Sequence, residues 1–281
     1  MACGEGRNLR TKLYLAAFFV AFAVLSAIMQ IVLALWPAQD FNRWLSLLVL
    51  VLGCAAWAAF SVRPKSQVLR DFGRFSVRVV VADIFEQESH LVIGFTDTFD
   101  TDTSGGRIIS PRSLQGQLLQ RMYGGDVERL DADIQEALGS TRSIGVESQS
   151  SKLYGKRVRY PVGSVSVISK EGRCIFCVAY SEMGNDLVAK SNVNLLWRSL
   201  SSLWDAVSLR GQCDPVAIPI IGSELSRVGA LDRNSLAKMI ILSFVARARQ
   251  EYFCKELILV VRESDRGDVD MFDIQSFLRS I

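Results

Sequence analysis

The sequence predicts an N-terminal hairpin of two transmembrane helices followed by an α/β domain whose mixed sheet is flanked by helices. Three observations predict it. Two long blocks near the start, Leu13 to Trp36 and Trp44 to Val62, carry no charged residue. Basic residues flank the outer ends of both blocks. Beyond residue 63, β-rich runs alternate with helical patterns, as layered α/β folds require.

The first block, at about 1.5 Å per residue, exceeds a hydrocarbon core of roughly 30 Å, and the second just reaches it. Pro37 to Arg43 is a short polar turn, so the two helices are expected to be antiparallel neighbours. Trp36, Phe41 and Trp44 lie at that turn, where aromatic rings favour the headgroup layer. A cleavable signal peptide needs a shorter apolar core and a small-residue cleavage site, which does not follow Leu35. A soluble helical hairpin needs a polar face, and neither block has one. Arg7, Arg10 and Lys12 precede the first block, and Arg63, Lys65, Arg70 and Arg74 follow the second. The turn has only Arg43 against Asp40, so positive-inside bias puts both termini in the cytoplasm. The expected organisation is a hairpin over 1–62 with spans at 13–36 and 44–62, a connector over 63–74 and a domain over 75–281.

A formal charge of +3 is too small to argue for nucleic acid, and no basic stripe with interleaved aromatics occurs. The six cysteines include Cys174 and Cys177, at redox or half-zinc spacing, but the run from Cys174 to Tyr180 reads as a buried strand. With His90 as the single histidine and no second cysteine pair, these are expected to be core residues of a reduced protein, and no metal site is predicted.

Strands are expected at Phe75–Ala82, Leu91–Phe95, Ser164–Ile168, Cys174–Tyr180, Val216–Ile221 and Glu256–Val261, with a hairpin about Glu171-Gly172. Helices are expected at Ser113–Tyr123, Asp126–Leu138, Val188–Ser208, Asp232–Gln250 and Asp270–Arg279. Gly139 to Ser151 reads as a loop.

Ligands in α/β sheets usually sit beyond the carboxyl ends of strands. Three segments have that form. Asp83 and Ile84 follow the first strand, Gly94 to Thr101 leaves the second, and Pro219 to Arg227 leaves a late strand for a helix. A glycine- and hydroxyl-rich turn of this kind offers free backbone N–H groups and a helix dipole to a phosphate, and Arg227 adds a possible bidentate contact. Asp83 is also an ordinary turn residue, and Asp97, Asp100 and Asp102 also suit a solvated acidic loop.

In this order the segments resemble the macro domain, the ADP-ribose-binding fold. More closely, GFTDTFDTDT (94–103), SLQG (113–116), VAIPIIGSELSR (216–227) and MIILSF (239–244), behind two apolar blocks, resemble the ThsA-type macro-domain effectors of Thoeris antiphage defence. The resemblance implies that Asp83 grips the adenine amino group beside Ile84, that Asp97 and Thr98 face a ribose, and that Gly222, Ser223, Glu224, Leu225, Ser226 and Arg227 form the diphosphate loop.

It also implies a bacterial inner-membrane effector in abortive infection. The ligand would be an ADP-ribose derivative, a histidine conjugate, made by a TIR-domain partner, with no catalytic cofactor. Departures are visible: Glu224 stands where the family often has glycine, Ala82 precedes Asp83, and the Asn-Ala-Ala-Asn loop of ADP-ribosyl hydrolases is absent. A binding module is therefore expected, the alternative being a membrane-tethered hydrolase of ADP-ribose conjugates in which Asp97 or Asp100 positions a water. Gly53, Ala55, Ala56, Ala58 and Ala59 offer a small-residue face for helix approach, so homo-oligomerisation on activation is expected within membrane lipid.

Overall fold

The computed structural model describes residues 3–35, 43–61, 66–222 and 231–281. They form two compact units. One holds the N-terminal helices together with Asp270–Ser276, and the other is the domain Gln67–Val269 with the last few residues of the chain.

In the first unit, α1 (Cys3–Leu35) and α2 (Arg43–Ser61) pack against each other. Ala21, Cys54 and Ala58 are buried, and a Cβ on Gly53 would lie 3.8 Å from Leu25 Cδ1. Small residues thus set the approach, but on the Cys54–Ala58 side, while Ala55 and Ala56 are exposed. Phe19, Val24, Ile28 and Ile31 of α1, and Leu48, Leu52, Trp57 and Phe60 of α2, are also exposed.

Among the described residues one helix, through Tyr14–Val32, is long and apolar enough to cross a membrane. The apolar stretch of α2, Leu47–Ala58, is shorter than a crossing requires. The expected second span over 44–62 has its helix in α2, but the apolar part among the described residues does not by itself establish a two-span hairpin. The tip of that hairpin, 36–42, lies outside the described residues.

The domain contains β1 (Gln67–Asp71), β2 (Ser76–Val81), β3 (His90–Thr96), α3 (Leu114–Tyr123), α4 (Val127–Ala137), β4 (Gly145–Val146), β5 (Val158–Arg159), β6 (Val165–Lys170) and β7 (Arg173–Met183). It continues with β8 (Ala189–Lys190), α5 (Val193–Arg210), β9 (Val216–Pro219), α6 (Arg233–Gln250) and β10 (Glu256–Val261), and the chain ends in α7 (Met271–Ser280). The main sheet runs β1-β2-β10-β9-β3-β7-β6, with β8 added to β7. β2, β10, β9, β3 and β7 are mutually parallel, and β1 and β6 are antiparallel edges.

Strands buried on both faces read as continuous apolar runs, which is why β10 is Glu-Leu-Ile-Leu-Val-Val. One face packs on α3 and α4, where Leu118, Leu130 and Ile134 meet Leu91, Ile93 and Ile175. The other carries α5 and α6. There Trp204 meets Phe244 edge-on and Phe253 packs against Phe244 at a tilt, and Trp204 donates its indole N–H to Ser243 Oγ at 2.9 Å. Asp126, Asn192 and Asp232 cap α4, α5 and α6 by accepting first-turn backbone N–H groups. Glu171 (φ 51°) and Gly172 (φ 76°) make the two-residue turn between β6 and β7.

Three expectations are revised. Residues 67–71, placed in the connector, form β1, because Val68 turns inward beside β2 and is buried. α5 starts at Val193, since Ala189–Lys190 pairs with β7 first. The loop over 139–151 includes β4, paired with β5. Gln67 pairs with Val80, so the chain enters the domain at the carboxyl end of the parallel strands.

Candidate functional site

A cavity of about 280 Å³ opens at the carboxyl ends of the parallel strands. Its floor is Gly94 to Thr96 from β3 and Pro219 to Gly222 following β9. Tyr180, Ser181 and Met183 of β7 form one side, continued by Leu187 to Ala189, and Val260 to Arg262 with Asp265 form the other. Ile108, Ile109 and the first turn of α3, Ser113 to Gln115, complete it. The lining is mostly apolar with polar groups at a few points, the usual constitution of a small-molecule site.

Local chemistry explains why these residues meet. Gly94 carries no side chain because a Cβ there would lie 2.4 Å from Tyr180 Cε1, so glycine lets the tyrosine ring cross β3. The carbonyl of Gly94 accepts Gln115 Nε2 at 2.8 Å, tying α3 to the floor. Ser113 caps α3 by accepting the N–H of Gly116, which leaves the helix start facing the cavity. Gly222 has φ 92°, a conformation that side chains disfavour, so a glycine is favoured where the chain leaves β9. Asp265 is shared between Arg233 (2.6 Å) and Arg262 (3.3 Å). Burial pushes its carboxyl pKa up, but the hydrogen bond and charge of Arg233, with the charge of Arg262, outweigh that and hold it below the ordinary carboxylate range.

The predicted residues separate into three groups. Gly222 lines the cavity, beside the segment from Gly94 to Thr96. Asp97, Thr98, Asp83 and Ile84 do not line it. Ser223, Glu224, Leu225, Ser226 and Arg227 lie outside the described residues. Asp83 caps a short 3-10 turn through Phe85 N (3.0 Å), and its other oxygen pairs with Arg121 at 2.7 Å. Ile84 is buried in the core.

Asp97 is buried, and both of its carboxylate oxygens are engaged. Oδ1 accepts the N–H of Met183 at 2.7 Å, and Oδ2 accepts Arg159 Nη1 at 2.6 Å. Thr98 donates to Asp100 Oδ2 at 2.6 Å. Asp100 also accepts the backbone N–H of Lys156 and faces the buried Lys152 Nζ at 3.5 Å. Its Oδ1 would lie 2.7 Å from a Cβ on Gly155, which therefore stays glycine at φ 79°. These carboxylates bolt the loop to the segment 145–160. Sequence reasoning missed Tyr180, Ser113, Gln115 and Arg262 as cavity residues; the SLQG motif at 113–116 was the available signal for two of them.

Cys177 is buried in β7, where desolvation drives its thiol pKa far up, and Cys174 Sγ contacts the carbonyl of Arg210 at 3.6 Å. Among the described residues no cluster of three or more histidine, cysteine or acidic side chains has metal-binding geometry.

Comparison with known proteins places this geometry in a family. A family model described as Thoeris protein ThsA, Macro domain, matches residues 77–262. The chain is 25% identical over 210 residues to Thoeris protein ThsA of Bacillus amyloliquefaciens (strain Y2), covering 72% of this chain and 67% of that one. A mutant macrodomain of Oceanobacillus iheyensis matches with a TM-score of 0.51 at 11% identity, covering 77% of this chain and all (100%) of the other. The same macrodomain with ADP matches at 0.50 and 12% identity, covering 76% and 98%. At such identities the solved structures speak for the fold alone. The family model spans most of the domain, and the chain belongs to the Thoeris ThsA macro-domain family.

Proposed function

We propose that the chain is a membrane-bound effector of Thoeris defence whose macro domain binds an ADP-ribose-derived signal made by a TIR-domain enzyme. In this reading the signal is a histidine conjugate of ADP-ribose, and its binding triggers clustering of the chain, membrane disruption and abortive infection. The observation that carries it is the cavity at the strand ends, where a glycine turn at Gly222 (φ 92°) and the start of α3 with its helix dipole meet, a setting suited to a diphosphate.

The domain acts as a receptor, not a hydrolase. Asp97 and Asp100 are buried and their oxygens are already bonded within the protein, which argues against either positioning a water for attack on a ligand. Support for a membrane site comes from the many large apolar side chains that α1 and α2 expose among the described residues, a surface that water does not tolerate over such an area. The basic flanks favour cytoplasmic termini.

Calorimetry of the full chain in detergent with ADP-ribose and its histidine conjugate, followed by chromatography of the ligand, tests the receptor reading. Saturable binding with ligand recovered intact supports it. Conversion of the ligand would return the hydrolase alternative, and absence of binding to either compound would sink both.

A further inference from the structure

Asp97 and Arg159, neither of which lines the cavity, together grip both backbone polar groups of Met183, which does. Asp97 Oδ1 takes the Met183 N–H at 2.7 Å, Arg159 Nη2 donates to the Met183 carbonyl at 2.8 Å, and the two side chains close the ring at 2.6 Å. The backbone joins in, with Asp97 N–H on Ser181 O at 2.8 Å and Tyr160 N–H on Asp97 O at 2.9 Å. Arg159 Nη2 also reaches Asn185 Oδ1 at 3.1 Å, inside the turn from Gly184 to Val188. Its Nε pairs with Glu147 at 2.7 Å, beside β4.

We infer that Asp97 and Arg159 form a positioning clamp that sets the cavity wall from Met183 to Ala189, and so the affinity for a nucleotide ligand, without touching that ligand. The physical reason is that this wall is a short hairpin. β8 is only Ala189–Lys190, and two paired residues hold a strand poorly. The wall's position is therefore set by charge-assisted hydrogen bonds at Met183 and Asn185, and the partly buried guanidinium supplies a planar fork that an ammonium lacks. The inference rests on the proposed nucleotide site.

The test uses full-length wild type, Asp97→Asn, Arg159→Lys and the double variant in detergent, with Arg78→Lys as a control at an ion pair that does not line the cavity. ADP-ribose affinity is read by calorimetry and amide exchange by mass spectrometry. The expected result is a loss of affinity of about tenfold or more in each single variant. The double variant should be little worse than either, because the two residues act as one unit. Faster exchange should be confined to 183–189, with 256–261 unchanged. Wild-type binding with unaltered affinity in the variants overturns the clamp alone. Weakened binding with unaltered exchange at 183–189 overturns it too, because the residues would then contact the ligand. Uniformly faster exchange across the domain would reduce the pair to a general fold contact and also contradict the inference. No binding by wild type would instead remove the function reading, and the clamp's role toward a ligand with it.

Discussion

The loop from Asp97 to Asp100 and the cavity beside it are built from opposite materials. The loop concentrates carboxylates and a hydroxyl, and its carboxylate oxygens are spent on cations and backbone N–H groups from elsewhere in the domain and on its own threonine. The cavity is lined largely by glycine, isoleucine, valine, leucine and tyrosine, with few charged groups. A carboxylate taken out of water needs partners, so a buried acidic loop becomes a fastening. A surface that must accept a ligand stays sparse in charge. Acidic residues at a strand end therefore lie beside the cavity without lining it.

Variants on the two sides of this contrast separate stability from binding. The largest stability loss is expected from Asp97→Ala, which leaves the Met183 N–H unpaired and removes one of the two carboxylates on the partly buried Arg159; about 2–4 kcal/mol should appear in urea unfolding. A loss below about 1 kcal/mol would mean that the pair is solvated and that the loop is not a fastening. Gly94→Val should cost about 1–3 kcal/mol through overpacking against the Tyr180 ring, while reducing ADP-ribose binding more than stability. Normal binding there would move the ligand off the floor of β3.

Asp83→Ala sharpens the comparison from the other side. Losing a turn cap should cost about 1 kcal/mol, and because Asp83 is off the cavity and occupied by Arg121, ADP-ribose affinity should change less than about threefold. A tenfold to hundredfold loss would restore Asp83 to the adenine position that the family resemblance implies. The smallest effect concerns pH. The hydrogen bond from Arg159, then that from Ser151, hold the half-buried Glu147 carboxyl below its usual range. A depressed carboxylate stabilises above its unfolded pKa and loses that contribution as pH falls through the folded value. Amide exchange at 145–159, corrected for its intrinsic rate, should be flat from pH 8 to 5 and rise only below about pH 4.

Much of the domain was legible in the sequence, for stated physical reasons. The doubly buried strands Leu91–Phe95 and Glu256–Val261 read as apolar runs, and Glu171-Gly172 marked its hairpin. β1 was missed because Gln67–Asp71 has one buried residue, Val68, and gains its strand character from pairing with β2, a non-local interaction. The start of α5 was misplaced because Val188 and Ala189 belong to the cavity wall and only resemble helix by composition. Gly222 was found from its place after a strand. Tyr180 and Gln115 were not, since their roles depend on Gly94, a contact between distant segments. The charge pattern of 97–102 suggested chemistry, but one sequence does not say which carboxylates have partners.

The central claim is that the cavity at the strand ends, not the acidic loop, receives the nucleotide. Photo-crosslinking with an azido-ADP-ribose probe on the full-length protein in detergent, followed by peptide mapping, tests it most directly. The account predicts adducts within 94–96, 113–115, 180–189 or 260–262, suppressed by excess ADP-ribose. Suppressible adducts confined to 83–86 or 97–102 would contradict it.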